Sequence, residues 1–290
     1  MSRYIKRESR IGFLLCTPCL LFIITFIGYP LFRNIFLSFH DYNPLHSLEV
    51  TFSGLENYQW LVKESIFINS LYITILFTIV SVTLEAFIGF FVAYFLVKIK
   101  ERFTKWGFRL LTSVFIIPYV MPTTSTGVAW RMLFHPSFGV INSMLNVKLM
   151  WLSDPILAFL SIVIADVWKT TPFFIFILLA GLISVPTEQY EAARIDGASG
   201  WQELRYITMP SILHLWIVTS VFRAIDAFTK IFDIVYILTG GGPGRATEVL
   251  PLLIYKTALR FFRFGTASAL GVVAILISLF FGIGLLRRRT

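Results

Sequence analysis

The chain has 290 residues, of which 57% are hydrophobic and 14% charged, with 30 Phe; soluble domains carry about 25% charge. This balance excludes a soluble enzyme, a disordered tail and a secreted disulfide scaffold, and the apolar residues fall in blocks of about 20, long enough to cross a bilayer. A formal charge of +9 would suit a nucleic-acid partner in a soluble protein, but most Lys and Arg flank apolar blocks and report membrane orientation, so no nucleic acid is expected.

At the N-terminus, Arg3, Lys6, Arg7 and Arg10 precede an apolar run over 11–27. The run continues through Tyr29-Pro30-Leu31-Phe32 without a small-residue cleavage site, so it reads as a retained first helix and not as a removed signal. Cys16 and Cys19 inside it form a C-x-x-C. With no His or second pair nearby, they read as packed thiols and not as a metal or redox site. No metal or cofactor site is expected.

Six apolar segments can be drawn, at about 11–32, 69–97, 108–133, 156–184, 211–238 and 266–286. A chain in lipid must satisfy its backbone polar groups internally, and the segments are too long for barrel strands. The fold class is therefore all-α: a polytopic membrane protein with six transmembrane helices, in one domain over 1–290. The basic groups at the N-terminus, at Lys98, Lys100, Arg102, Lys105 and Arg109, and at Arg287, Arg288 and Arg289 fall on one side of such a thread. Both termini and the connections 98–109 and 185–210 are thus expected to be cytoplasmic. Lys256, Arg260 and Arg263 fall on the other side, in a long connection with room for a helix along the surface.

The connection 185–210 carries the densest pattern. Pro186 can start a helix, Thr187 can cap it, and Glu188 and Glu191 sit near its positive dipole end. Ala192, Ala193, Gly197, Ala198 and Gly200 give a small-residue surface that a partner's backbone can approach, with Glu191, Arg194 and Asp196 at its rim. On physics alone, a hairpin packed on its own bundle serves equally well.

Glu191-Ala192-Ala193, Gly197 six positions after the Glu, then Ile207 and Pro210 resemble the EAA loop of the membrane subunits of binding-protein-dependent ATP-binding-cassette importers, with Met209 where Leu is common. Gly28-Tyr29-Pro30, Leu37-Ser38-Phe39, Gly54-Leu55-Glu56-Asn57-Tyr58 and Leu238-Thr239-Gly240-Gly241-Gly242-Pro243 followed by Ile254-Tyr255 extend the resemblance to the sugar-importer, maltose-type branch. The resemblance implies a type I ABC importer permease fold. It implies that 185–210 holds a coupling helix docking an ATPase through Glu191, Ala192, Ala193, Asp196 and Gly197. It also implies four kinds of partner: a second, related permease in a heterodimer, two copies of a cytoplasmic ATP-binding subunit, an extracytoplasmic solute-binding protein and a sugar. The setting is a bacterial-type inner membrane, with lipid around the spans and alternating access as the mode of transport. The chain has no Gly-Lys pair, so the phosphate-binding loop G-x-x-x-x-G-K-[ST] is missing and ATP hydrolysis is assigned to a separate subunit.

Two clusters of ionisable residues lie within the spans. Arg223, Asp226, Lys230 and Asp233 in the fifth span are spaced three, four and three, which predicts one helical stripe. Ionisable groups at bilayer depth must face protein or water, so the stripe is either a neutralised network in the bundle or part of a solute path. In the fourth span, Asp166 and Lys169 lie one turn apart and Pro172 can open the helix. The maltose-type resemblance places solute contacts in these two segments, near Asp166, Lys169, Thr170, Phe173, Ala227, Phe228 and Ile231. Arg223, Asp226 and Lys230 complete the expected substrate set. The asparagines of the maltose protein are missing here, which leaves the solute open among a disaccharide, a longer oligosaccharide, a glycosylated polyol and glycerol phosphate; Lys169, Arg223 and Lys230 would suit the last, but the carboxylates near them favour a neutral sugar. A proton-coupled carrier working through Asp166 or Asp226 is the alternative from another class. An intramembrane enzyme has no support, because no H-E-x-x-H or G-x-S-x-G occurs.

Overall fold

A computed structural model describes residues 2–287, with side chains described for 13–100 and 102–282. Arg288 and Arg289, and the side chains of Arg3, Lys6, Arg7, Arg10 and Arg287, lie outside the described residues. The regular secondary structure of the described chain is helical apart from one short hairpin. Its contacts cluster into two compact units, Met1–Ser65 with Ile254–Leu276, and Ile66–Leu253 with Ile277–Thr290.

In the first unit, α1 (Ser2–Ile23) passes through a wide turn at Ile24–Gly28 into α2 (Tyr29–Ser38). Pro30 has no N–H to give to the preceding turn, and the Tyr29 N–H instead reaches back five residues to Ile24 O. β1 (His40–Asp41) and β2 (Thr51–Phe52) pair antiparallel with His40 opposite Phe52, and α3 (Glu56–Lys63) follows. Asn57 locks this unit: its side-chain amide donates to Ser38 O at 3.1 Å and His40 O at 3.0 Å, and its oxygen accepts from Thr266 Oγ1 at 3.0 Å. Tyr58 OH donates to Ser38 Oγ at 2.7 Å. Gly265 sits where a Cβ would meet His40 O at 2.1 Å, so only a residue without one fits.

The second unit is built on α4 (Ser65–Ile99), α5 (Lys105–Val120), α6 (Thr123–Leu133), α7 (Val140–Leu145), α8 (Pro155–Ile183), α9 (Thr187–Ile195), α10 (Gly200–Glu203), α11 (Met209–Lys230) and α12 (Phe232–Leu238). α4 and α8 approach closely at Gly89, where a Cβ would lie 2.4 Å from Phe174 Cβ. Phe77, Phe90, Ile162, Phe174, Leu178, Ile212 and Ile234 are fully buried around these contacts. α13 (Leu250–Tyr255) occupies the long connection and buries Leu250, Leu252 and Leu253, and α14 (Phe264–Arg287) closes the described chain.

Among the described residues, five helical segments are long and apolar enough to span a bilayer: Phe13–Ser38, Ser65–Ile99, Pro155–Ile183, Gly200–Lys230 and Phe264–Gly282. The expected third span, 108–133, is made by α5 and α6 with a break at Met121-Pro122. Met121 is extended at φ −60° and ψ 136°, as steric conflict with a following proline requires. The expected fifth span is likewise divided, since α11 ends at Lys230 and α12 starts at Phe232. Before α11, a wide turn at Leu204–Thr208 leads into Pro210 and repeats the solution seen before Pro30.

Candidate functional site

Two places gather the residues singled out from the sequence. The first is α9 and its exit. Pro186 takes the N-cap position and Thr187 is the first helical residue, with no side-chain cap, the reverse of the expected order, because proline's fixed φ suits the entry and its missing N–H costs nothing there. The helix ends at Gly197, whose φ of +78° places it in the left-handed region. A capping box follows: Ser199 and Gln202 bond reciprocally, with Gln202 Oε1 accepting from Ser199 N at 2.6 Å.

Glu191, Ala192, Asp196 and Gly197 are exposed and Ala193 is half-buried. Nothing lies within 4 Å of a Cβ built on Gly197. A groove of about 290 Å³ opens beside them, lined by Ala193, Gly197, Ala198 and Tyr206 among others. α9 is tied to the segment that follows, with Arg194 Nε 2.9 Å from Glu203 Oε1 and Tyr190 OH 3.1 Å from Thr208 Oγ1. The small residues thus stay open while the polar ones tie the helix down.

The second place is a charge cluster between α4, α8 and α11. Arg223 Nη2 donates to Asp166 Oδ2 at 2.6 Å and to Glu85 Oε1 at 3.0 Å. Its Nε faces Glu85 Oε2 at 2.8 Å as an ion pair, without hydrogen-bond alignment. The Thr170 hydroxyl lies 2.7 Å from Glu85 Oε1 and 2.6 Å from Asp166 O, and accepts from Arg223 Nη2 at 3.2 Å. These four side chains are buried. The cluster then opens outward, since Arg223 Nη1 lies 3.5 Å from Asp226 Oδ2 and Asp226 Oδ1 lies 2.7 Å from Lys230 Nζ. The Asp226 and Lys230 side chains are 33% and 77% exposed.

Lys169 points elsewhere. Its ammonium donates to Met121 O and, at 3.4 Å, to Tyr119 O, the carbonyls left over where α5 stops before Pro122. A cation at a helix C-terminus is favoured by the dipole as well as by the freed acceptors. Phe173 stacks on Tyr119 with ring centroids 6.2 Å apart. α8 runs unbroken through Pro172, so the expected opening of that helix does not occur; the break lies on α5–α6 instead.

Asp166, Thr170, Arg223, Asp226 and Lys230 are therefore joined in one chain of contacts, while Lys169 and Phe173 gather at the helix break. Ala227, Phe228 and Ile231, beside Asp226 and Lys230 in sequence, are buried. Asp233 lies on α12, past the turn at Ile231, and makes no ion pair among the described residues. Sequence reasoning missed Glu85, Tyr119 and Met121. The one available signal was that Glu85 is the sole acidic residue of α4.

The family model described as binding-protein-dependent transport system inner membrane component matches residues 85–289, and the chain belongs to that family. It is 37% identical over 286 residues, 97% of this chain and 94% of the relative, to the trehalose/maltose transport system permease protein MalF of Thermococcus litoralis. It is 33% identical to the trehalose transport system permease protein SugA of Mycobacterium tuberculosis, over 92% of this chain and 84% of the relative. Among solved structures, a chain of a bacterial alginate ABC transporter, crystallised with an alginate pentasaccharide-bound periplasmic protein, superposes with a TM-score of 0.80 at 20% identity, covering 98% of this chain and 95% of that one. The protein is an ABC transporter permease and crosses the membrane more than once.

Proposed function

We propose that the chain is the permease subunit of an ATP-driven importer that moves a disaccharide, oligosaccharide or polyol glycoside delivered by an extracytoplasmic binding protein. It works as a single domain over 1–290, with both termini cytoplasmic and α5–α6 together making the sixth passage. Its partners are a related permease and two copies of an ATP-binding subunit. The relatives' sugar names support the solute class. The observation that carries the coupling role is the exposed Glu191 and Ala192, with half-buried Ala193, beside the open Gly197, on a helix tied down through Tyr190 and Arg194.

When the ATPase dimer closes, it pulls α9, and the Arg194–Glu203 and Tyr190–Thr208 ties pass the displacement to α10 and the start of α11. α11 carries Arg223, Asp226 and Lys230, so motion at the loop reaches the charge cluster. The solute meets Asp226, Lys230 and Phe173, while Asp166, Thr170, Arg223 and Glu85 hold α4, α8 and α11 in register behind them. Lys169 fixes the helix break, and Ala227, Phe228 and Ile231 shape the wall.

The test is co-purification of the solubilised chain with its neighbouring gene products, comparing wild type with Glu191→Arg and Gly197→Trp, followed by ATPase assays with candidate sugars. An ATPase retained by wild type and released by both variants supports the docking assignment, and the stimulating sugar identifies the solute. Uptake that needs no ATPase and collapses with the proton gradient replaces this reading with a proton-coupled carrier.

A further inference from the structure

A second cavity, of about 530 Å³, lies where the ends of α4 and α8 meet α9. Its rim carries Lys98, Lys100 and Arg102. Lys98 Nζ sits 4.6 Å from the Tyr94 ring centroid, a neutral partner, and none of the three cations makes an ion pair among the described residues. On the acidic side, Glu203 is already neutralised by Arg194 at 2.9 Å, which leaves Glu191 as the one carboxylate of the lining without an ion pair among the described residues. Among the described residues, the cavity lining therefore carries more unpaired positive than negative charge. Its floor is apolar, formed by Val97, Leu182 and Val185, with the exposed Ile183 also in the lining.

We propose that this cavity holds the phosphate headgroup of an anionic phospholipid. Phosphate charge meets the Lys98, Lys100 and Arg102 rim, and the glycerol and upper acyl carbons lie along the apolar floor. The floor decides between a lipid and a free phosphate. Val97 and Leu182 belong to the last turns of two membrane-spanning helices, Ser65–Ile99 and Pro155–Ile183, at the depth where headgroups sit, and a soluble anion would gain nothing from them. The headgroup would touch both the end of α4 and α9, and so brace α9 against the bundle. The binding claim does not depend on α9 docking an ATPase.

The test uses the full chain in mild detergent, delipidated and titrated with phosphatidylglycerol, phosphatidylcholine or inorganic phosphate, with bound lipid counted by native mass spectrometry. Wild type is expected to retain phosphatidylglycerol in preference to phosphatidylcholine. Each cation removed should weaken retention roughly fivefold, and Lys98→Gln/Lys100→Gln/Arg102→Gln together on the order of a hundredfold. Lys105→Gln/Arg109→Gln, which removes charge from α5 outside the cavity, should keep retention within about twofold of wild type. The single Lys100→Gln change at an exposed turn guards against misfolding of the triple variant. Equal retention by the triple variant and wild type would overturn the proposal, as would equal losses in the α5 control. So would binding of inorganic phosphate that displaces the lipid.

Discussion

The guanidinium of Arg223 on α11 and the carboxylate of Glu85 on α4, 138 residues apart in sequence, meet at 2.8 Å with side-chain exposures of 4% and 0%. Asp166 on α8 joins them at 2.6 Å, so one cation ties together three helices. Removing one partner from a buried pair leaves the other charge uncompensated, at a cost of about 3–5 kcal/mol. Arg223→Ala should therefore lower the unfolding temperature of the solubilised protein sharply. Combined with Glu85→Gln it should cost less than the two single losses added together, because the changes remove one shared interaction. Additive losses in thermal melts would mean the two side chains do not act as a pair.

Lys169 is expected to matter for a different reason. Lys169→Met leaves Tyr119 O and Met121 O without this donor at the end of α5, and because both bonds are only partly buried each loss costs about 1 kcal/mol. Lys169→Arg keeps a cation there and should recover most of the loss. Protease sensitivity of the α5–α6 junction, measured alongside thermal melts, reports the effect; a Met variant as stable as wild type would show that the carbonyls have another partner.

Asp226 and Lys230 form the open end of the cluster, and their pairing contributes at most about 1 kcal/mol to stability, being partly solvated. Asp226→Ala should leave assembly intact yet reduce sugar uptake into vesicles roughly tenfold or more, the worth of a lost hydrogen bond to a charged group. Normal uptake by both Asp226→Ala and Lys230→Ala would remove this pair from the solute path.

Gly265 and Gly200 offer a matched contrast. A methyl group at Gly265 would press on His40 O at 2.1 Å, whereas Gly200 faces open space. Gly265→Ala should cost about 1–3 kcal/mol as an overpacking change, while Gly200→Ala, at the start of α10, should be neutral or slightly stabilising. Melting temperatures of the two variants decide it.

How much of this was legible in the sequence depends on the range of the interaction. The Asp226–Lys230 pair follows from a four-residue spacing on one helix, and α9 from Pro186 and the Glu191-Ala192-Ala193 run. The break at Met121-Pro122 was present as a proline but masked by the apolarity around it, which made one span of two helices. The Glu85–Arg223 contact had no local sign, since no spacing relates residues on different spans. For the same reason Lys169 could be recognised as out of place in a membrane, but not as the donor for carbonyls some 50 residues earlier. The Gly54-Leu55-Glu56-Asn57-Tyr58 motif was readable only as a pattern; its physical content is the Asn57 amide holding Ser38 O and His40 O.

The hairpin above that amide is closed by two residue pairs, His40 with Phe52 and Asp41 with Thr51, and its tip is solvent-facing, with Leu48 81% exposed. Asn57 and Gly265 grip the chain below the stem, and Phe264 N donates to Tyr42 O at 2.9 Å just beyond it, so these fastenings of the unit lie away from the tip. Foreign sequence spliced between His46 and Leu48, such as an epitope or a biotin acceptor peptide, would leave the grip untouched. The loop is thus a natural handle for labelling the protein in intact cells and for reading which face of the membrane it occupies.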